Sequence, residues 1–215
     1  MRSLLGRTVA TSVAGCTVVI SALVGRSDTV LEDRLNHDTV LDGGLLSGAR
    51  LMRYQHNRAK DLARKLASRT QGEKLVMTDG VFSMDGDIAK LPALAQSCER
   101  NDAWLMVDDA HSIGVMGDGH GTSAHFGVTD AVDLIMSTFS KSLASLGGFV
   151  AGDDQVVHYI QHHARSLIFS ASIPPSNAAA ALAALHVMQE EPERVVRLHE
   201  NADRLRNGLG SLGYD

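Results

Sequence analysis

Two acidic residues and a histidine directly follow an apolar segment in the middle of the chain. Residues 103–107 are continuously apolar and predict a buried strand, after which come Asp108, Asp109 and His111. In open α/β sheets ligands bind beyond the carboxyl ends of strands, so these side chains occupy an expected site position. One alternative is a polar turn in which an aspartate caps the next segment. A second is a metal site that adds two later histidines, His120 and His125.

A lysine follows the next predicted strand, at 131–136. Thr138, Ser140 and Lys141 come directly after that strand, and Gly147-Gly148 lie a few residues further on. A lysine beside a buried strand is partly desolvated, which lowers its pKa and favours the neutral amine that forms a Schiff base. The two hydroxyls can bond a phosphate, and the glycine pair permits a positive φ or a close ligand. Taken alone, such a segment is more often an ordinary loop lysine.

The two motifs together indicate a specific cofactor. A carboxylate that faces a pyridine nitrogen keeps it protonated, so the ring can take up electrons, while a lysine holds the cofactor's aldehyde. Asp108 and Lys141 have the residue types and the order that pyridoxal phosphate requires.

Six ordered motifs then identify a resemblance that extends over residues 17–215. They are Asp33-Arg34-Leu35-Asn36-His37, His56-Asn57, Thr78 to Gly86, Val107 to His111, Thr138 to Lys141, and Phe169 to Pro175. In these motifs the sequence resembles the α-oxoamine synthases, pyridoxal-phosphate enzymes of the fold-type I aminotransferase superfamily.

The resemblance implies how the cofactor ring is held. His37 would stack on one face of the ring and Ala110 would pack against the other. Asp108 would pair with the ring nitrogen, and His111 and Ser83 would bond the phenolic oxygen. Without the resemblance, His37 is equally interpretable as a helix-start residue or a core histidine, and Ser83 as a turn cap.

The resemblance also implies the phosphate contacts and the catalytic set. Thr138 would bind the phosphate, and Ser170 and Ser172 would reach the phosphate of a neighbouring subunit in a homodimer with shared sites. Lys141 would carry the cofactor and later move protons at the substrate α-carbon. The implied catalytic residues are Lys141, His37, Asp108 and His111, with no metal.

Members of this family join an amino acid to an acyl-CoA with loss of CO2 and so form an amino ketone. Residues 138–148 most resemble serine palmitoyltransferases, which favours serine. Residues 78–86 and 107–111 are equally similar to 8-amino-7-oxononanoate synthase and 2-amino-3-ketobutyrate ligase, so those activities stay open.

The elements that must position these residues alternate between short apolar strands and amphipathic helices. This pattern predicts an α/β fold, the large domain of fold type I, with a mainly parallel sheet covered by helices. Strands are predicted at 28–32, 50–54, 74–78, 103–107, 131–136 and 148–151. Helices are predicted at 38–46, 57–68 with Asn57 as N-cap, 91–101, from Pro175 to about 189, and from about 193 to 209.

Composition narrows the possible partners and compartment. A formal net charge of −5 and the lack of Lys/Arg runs argue against binding to nucleic acid or to an anionic membrane. Two cysteines, Cys16 and Cys98, fit a reducing compartment, and we expect a cytoplasmic protein. The apolar stretch from Val9 to Val24 resembles a secretory signal, but its threonines and serine dilute it and argue against export or a transmembrane segment.

The sequence departs from the family at both ends. A Gly-aromatic pair that contacts the phosphate in the family corresponds here to Ser12-Val13, and no arginine can be nominated for the substrate carboxylate before Asp215. We therefore expect a remnant of the N-terminal region at 1–27, the cofactor domain at 28–190, and at 191–215 a helix leading to a missing small domain. A non-catalytic cofactor-binding scaffold is a further alternative, and a metal-dependent hydrolase a more remote one.

Overall fold

The computed structural model describes residues 8–12, for the backbone alone, and 15–68, 70–170 and 172–214 in full. The strands are β1 (Thr8–Ser12), β2 (Thr29–Asp33), β3 (Arg50–Tyr54), β4 (Lys74–Asp79), β5 (Trp104–Asp108), β6 (Leu134–Thr138) and β7 (Gly148–Gly152). The helices are α1 (Cys16–Leu23), α2 (Asp38–Ser47), α3 (Ala59–Leu66), α4 (Leu91–Arg100), α5 (Thr122–His125), α6 (Asp154–His163), α7 (Arg165–Ile168), α8 (Pro175–Glu190) and α9 (Glu193–Ser211). A single 3-10 turn is described at Thr129–Ala131.

Within the described part of the chain all these strands form one sheet, in the order β1-β7-β6-β5-β4-β2-β3. The pairs from β6 to β3 are parallel, whereas β7 is antiparallel to both of its neighbours. Because two antiparallel steps restore the direction, β1 points the same way as β6. The carboxyl ends of the six strands β1 to β6 therefore lie at one edge of the sheet, which we call the carboxyl edge.

Helices cover both faces of the sheet, as the near-continuous apolar strands require. Successive residues of β4 enter opposite cores: Leu75 and Met77 join a cluster with α1, α2 and α6, and Val76 joins one with α3 and α4. This alternation follows from the two-residue period of a strand. The predicted α/β fold with a mainly parallel sheet is confirmed.

The described residues of the N-terminal apolar stretch, to which no strand or helix was assigned from the sequence, belong to this sheet and core. Residues 8–12 pair with β7, and α1 buries Cys16, Val18, Val19 and Ile20 against the sheet. The division of the chain at residues 27 and 190 stays a prediction, but residues 8–12 and 16–23 pack in the same unit as the strands that follow. No helix in the part of the chain that the structure describes is both long and apolar enough to cross a membrane.

Most predicted boundaries agree with the structure to within two residues, and a few elements differ. The strand predicted at 131–136 lies at Leu134–Thr138, because Thr129–Ala131 forms a 3-10 turn. Helix α6 was not predicted, since its histidines and glutamines obscure the apolar period. Asn57 is not the N-cap of α3, a role that falls to Arg58.

Asn57 instead adopts a left-handed conformation, with φ of 53°. Its side-chain amide donates to Asp87 Oδ2 at 2.8 Å and to the Ile88 carbonyl at 3.0 Å. These contacts tie the turn before α3 to the segment that follows β4, so the residue fixes a loop rather than starting a helix.

The contact between α1 and α2 yields a prediction. A Cβ at Gly43 would lie 2.7 Å from Ile20 Cδ1 and 3.0 Å from Thr17 Cα, so the two helices leave no room for a side chain. We expect Gly43→Val to lower the free energy of unfolding by roughly 1–3 kcal/mol, measured by urea denaturation. Gly25→Val is the control, because nothing lies within 4 Å of a Cβ there, and equal losses in the two variants would refute the packing argument.

Candidate active site

A cavity of about 250 Å³ lies at the carboxyl edge. The structure brings seven of the ten predicted cofactor-binding residues to its wall: His37, Asp108, Ala110, His111, Thr138, Ser140 and Lys141. These side chains come from the last residues of β5 and β6 and from the loops after β2, β5 and β6, so they converge because these strands run in the same direction.

The three remaining predicted residues do not line this cavity. Ser83 lies in an exposed turn closed by the bridge between Val81 and Ile88. Ser170 and Ser172 are exposed after α7, and the Ser170 hydroxyl donates to a backbone carbonyl of its own segment. Their roles at the phenolic oxygen and at a neighbouring subunit's phosphate stay predictions.

Asp108 ends the central strand β5 and is held by fixed donors. Its Oδ1 accepts the Ala110 N–H at 2.9 Å, and its Oδ2 accepts the Cys16 thiol at 3.2 Å. Burial, reinforced by the charge of Asp108, raises the pKa of the Cys16 thiol, which therefore stays protonated and remains a donor. The carboxylate thus has a defined orientation in a nearly dry position.

The loop that carries Lys141 is tied back to the end of β6. The Thr138 hydroxyl donates to the Gly147 carbonyl at 3.0 Å and accepts the Ser140 N–H at 3.2 Å. Gly147 has φ of 100°, as the sequence led us to expect, and a Cβ at Gly148 would lie 2.6 Å from the Ser137 carbonyl oxygen. The glycine pair is therefore required by the chain's own backbone.

Partial burial lowers the pKa of Lys141, although the neighbouring carboxyl groups of Asp108 and Asp79 act in the opposite direction. Burial and the nearby Lys141 charge also lower the pKa of His111. Both groups are shifted toward their neutral forms, which are the forms that act as a nucleophile or accept a proton.

His37 is both a helix-start residue and a cavity residue. It is the N-cap of α2, where its Nδ1 accepts the Thr39 N–H at 3.3 Å. The ring is exposed at the wall of the cavity. The capping contact fixes one ring nitrogen and leaves the ring faces available for packing.

Asp79 is a cavity residue to which the sequence analysis assigned no role. It ends β4, is paired in register with Asp108 and is only 3% exposed. Burial and the Asp108 charge raise the pKa of Asp79 to about 8. The available signal was its position at a strand end next to β5, within the motif from Thr78 to Gly86.

The start of α1 also reaches the cavity, through Gly15. A helix N-terminus presents free N–H groups and a positive partial charge, which suit a phosphate. From the sequence, this contact is expected at Ser12-Val13. Ser12 is the last residue of β1, and Val13 lies outside the described residues.

Asp109 does not line the cavity but holds the elements around it together. Its buried carboxylate accepts the Thr122 N–H at 3.2 Å and the Ser112 hydroxyl, and its own N–H donates to the Met136 carbonyl at 2.7 Å. It therefore joins β5, β6 and the following loop.

Among the side chains that the structure describes, no group of three or more potential ligands is arranged to hold a metal ion.

A histidine bridge lies between the turn that carries Ser83 and the end of β2. His56 is 2.9 Å from Asp33 Oδ1 through its Nδ1 and 2.7 Å from Asp87 Oδ2 through its Nε2, and its ring meets Phe82 edge to face. Partial burial acts to lower the pKa of His56, but hydrogen bonds to the two carboxylates outweigh it, so the pKa of His56 is raised.

A second, larger cavity of about 800 Å³ shares Ala110, His111 and Lys141 with the first. Its far wall is formed by α8 and α9, with apolar residues that include Met188 and with Arg194 on α9. Lys141 thus lies at the junction of the two spaces.

Comparison with known proteins decides the family. Residues 8–215 match aminotransferase class I and II. The chain belongs to this family. The aminotransferase assignment agrees with the mainly parallel sheet and with the resemblance to α-oxoamine synthases, which the relatives confirm.

The similar curated proteins include two of the three activities considered from the sequence. A serine palmitoyltransferase of Sphingobacterium spiritivorum is 50% identical over 198 residues, covering 91% of this chain and 50% of that protein. An 8-amino-7-oxononanoate synthase of Methylococcus capsulatus is also 50% identical over 198 residues, covering 91% of this chain and 51% of that protein. The chain therefore spans about half the length of the curated relatives it matches.

Solved structures show the same fold. A serine palmitoyltransferase of Sphingomonas wittichii has a TM-score of 0.95 at 31% identity, covering all of this chain and 55% of that one. One from S. paucimobilis, with a bound PLP-myriocin aldimine, has a TM-score of 0.94 at 32% identity, covering all of this chain and 57% of that one. An 8-amino-7-oxononanoate synthase of Francisella tularensis has a TM-score of 0.84 at 25% identity, covering 98% of this chain and 62% of that one.

The histidine bridge predicts a pH-dependent stability. Because the folded pKa of His56 is raised, its contribution is fully present below the unfolded value of about 6.5 and is lost as pH rises through the folded value. We expect wild type to exceed His56→Gln in free energy of unfolding most at acidic pH, with a difference that shrinks toward alkaline pH. Urea denaturation across this range measures it, with the exposed His158→Gln as control. A difference independent of pH would contradict the assignment of charge to His56.

Proposed function

We propose that this protein binds pyridoxal phosphate and condenses an amino acid with an acyl-CoA, releasing CO2 and forming an amino ketone. The observation that carries the proposal is that Asp108 and Lys141 face one cavity at the carboxyl edge, from neighbouring strands. When bound, the cofactor supplies an aldehyde that reacts with amines and a ring that takes up electrons from the substrate α-carbon.

The residues around the cavity fit this cofactor. Asp108 is oriented by the Ala110 N–H and the Cys16 thiol, so its carboxylate can hold a proton on a ring nitrogen. His37 and Ala110 stand at the wall where a flat ring would be packed between them. His111 lies beside them as a hydrogen-bonding partner for the ring's oxygen.

The phosphate would lie between the start of α1 and the loop after β6. Gly15 precedes the first N–H groups of α1, and Thr138 and Ser140 contribute hydroxyls to the wall of the same cavity. The two hydroxyls are 2.8 Å apart, so they can turn toward one phosphate group together once the Thr138 hydroxyl releases the Gly147 carbonyl. No arginine or lysine is needed if backbone N–H groups and the helix dipole balance part of the charge.

Lys141 would attach the cofactor and then move the proton of the substrate α-carbon. Its lowered pKa increases the fraction of neutral amine, which both tasks require. The larger cavity begins at the same residue and is lined by apolar side chains of α8 and α9, so we place the acyl-CoA there.

We further propose serine as the amino acid, supported by the high structural similarity to serine palmitoyltransferases. The equal sequence identity to 8-amino-7-oxononanoate synthase favours that reaction as the second candidate. Assays with serine, alanine and glycine, each against short and long acyl-CoAs, separate them and also test the 2-amino-3-ketobutyrate ligase reaction.

A homodimer with shared sites, and a cytoplasmic location, are parts of the same proposal. Ser170 and Ser172 are exposed beyond α7, which leaves them available to a second subunit. Cys16 and Cys98 are both free thiols, in keeping with a reducing compartment.

Lys141 provides the direct test of cofactor attachment. After incubation with pyridoxal phosphate and reduction with borohydride, we expect mass spectrometry of the digested chain to find the cofactor on the peptide that contains Lys141. Lys141→Ala should lose that label, whereas Lys90→Ala, at an exposed lysine, should keep it. Labelling that is spread over surface lysines, or that survives in Lys141→Ala, would refute the proposal.

Asp108 provides a second prediction. Asp108→Asn removes a charged partner of the ring nitrogen, so we expect cofactor affinity to fall roughly ten- to hundredfold, since hydrogen bonds to charged groups contribute about 1.5–3 kcal/mol. The Kd from an absorbance titration measures this. Asp118→Asn, at an exposed aspartate, is the control. Unchanged affinity in Asp108→Asn would exclude the assigned role.

A further inference from the structure

We propose that Asp79 is a positioning residue of this site: its carboxyl group holds the backbone N–H of His37 and thereby places the imidazole at the cavity. The inference rests on the proposed function insofar as the imidazole is placed for a cofactor ring. The contact itself is a property of the chain and can be tested without any ligand.

The geometry of the contact is direct. Asp79 Oδ2 and Oδ1 lie 3.2 Å and 3.4 Å from the His37 nitrogen, so both carboxyl oxygens face one N–H group. That N–H belongs to the N-cap residue of α2, where the backbone turns from the loop into the helix. Moving this N–H would change the direction in which the His37 side chain leaves the backbone.

Asp79 is itself held in place by the same loop. Its N–H donates to Asn36 Oδ1 at 2.9 Å, and Asn36 Nδ2 donates to the Met77 carbonyl at 3.1 Å. Asn36 and His37 are therefore bonded to β4 through both the backbone and a side chain of that strand. The end of β4, rather than the body of α2 alone, determines where His37 lies.

The charges around Asp79 explain how its carboxyl group can accept the His37 N–H while lying beside the carboxyl group of Asp108. Burial and the charge of Asp108 raise the pKa of Asp79 to about 8, Asp33 acts in the same direction, and Lys141 and the His37 N–H oppose them. At neutral pH Asp79 is therefore mostly protonated and still accepts the N–H through its carbonyl oxygen. An asparagine reproduces that neutral acceptor, and an alanine does not.

The ligand-free test is amide hydrogen exchange at His37, measured by NMR. We expect the His37 N–H to be protected in wild type and in Asp79→Asn, and to exchange several-fold faster in Asp79→Ala. Asp109→Asn is the matched control, because that buried carboxyl group also accepts a backbone N–H but contacts Ser112 and Thr122 instead. Equal exchange rates at His37 in wild type and Asp79→Ala overturn the proposal.

The ligand-dependent test is a double-mutant cycle on cofactor Kd. Losing one hydrogen bond of about 0.5–1.5 kcal/mol predicts a two- to tenfold weaker affinity in Asp79→Ala, with recovery in Asp79→Asn. If Asp79 acts through His37, Asp79→Ala adds no loss in a His37→Ala background. An additive loss, or no recovery with asparagine, overturns the proposal.

The two tests distinguish the two claims. If wild type takes up no cofactor at Lys141, the proposed function fails while the exchange measurement still decides the role of Asp79. If cofactor attaches at Lys141 but the His37 N–H is indifferent to Asp79, only the positioning role fails.

Discussion

Strand direction is the constraint on which this site depends. Six strands end at the carboxyl edge because β7 runs antiparallel to both β6 and β1, which returns β1 to the direction of the parallel strands. The start of α1 therefore reaches the same cavity as Asp108, although more than ninety residues separate Cys16 from it in the chain. One thiol-to-carboxylate hydrogen bond of 3.2 Å joins the earliest helix of the described chain to the central strand.

A second constraint is electrostatic. Two carboxyl groups, Asp79 and Asp108, end neighbouring strands in register, and both are nearly buried. Two like charges in such a place are unfavourable, so one of the groups keeps its proton. The pKa of Asp79 is accordingly raised to about 8, while the Ala110 N–H and the Cys16 thiol hold the Asp108 side chain in place. At neutral pH the shared proton therefore lies on Asp79.

The position of residues at strand ends was sufficient to predict from the sequence which two groups meet in the site. Asp108 and Lys141 each follow an apolar segment, so their convergence followed from the parallel sheet alone. The N-terminal stretch received no predicted strand because its pairing with β7 is a contact between residues some 140 positions apart, which no local pattern encodes. Asn57 was misassigned because its partners, Asp87 and Ile88, are likewise distant in sequence. Asp79 lacked a role because the direction of a side chain at a strand end depends on register.

Lys141 lines both cavities, and the two cavities are formed by different parts of the chain. The strand ends and the start of α1 line the smaller cavity, whereas α8 and α9 contribute the far wall of the larger one. A substitution at Met188 can therefore change the shape of the larger cavity without altering the hydrogen bonds of Asp108. A fold organised in this way can diversify in the molecules it accepts while its chemistry is inherited unchanged.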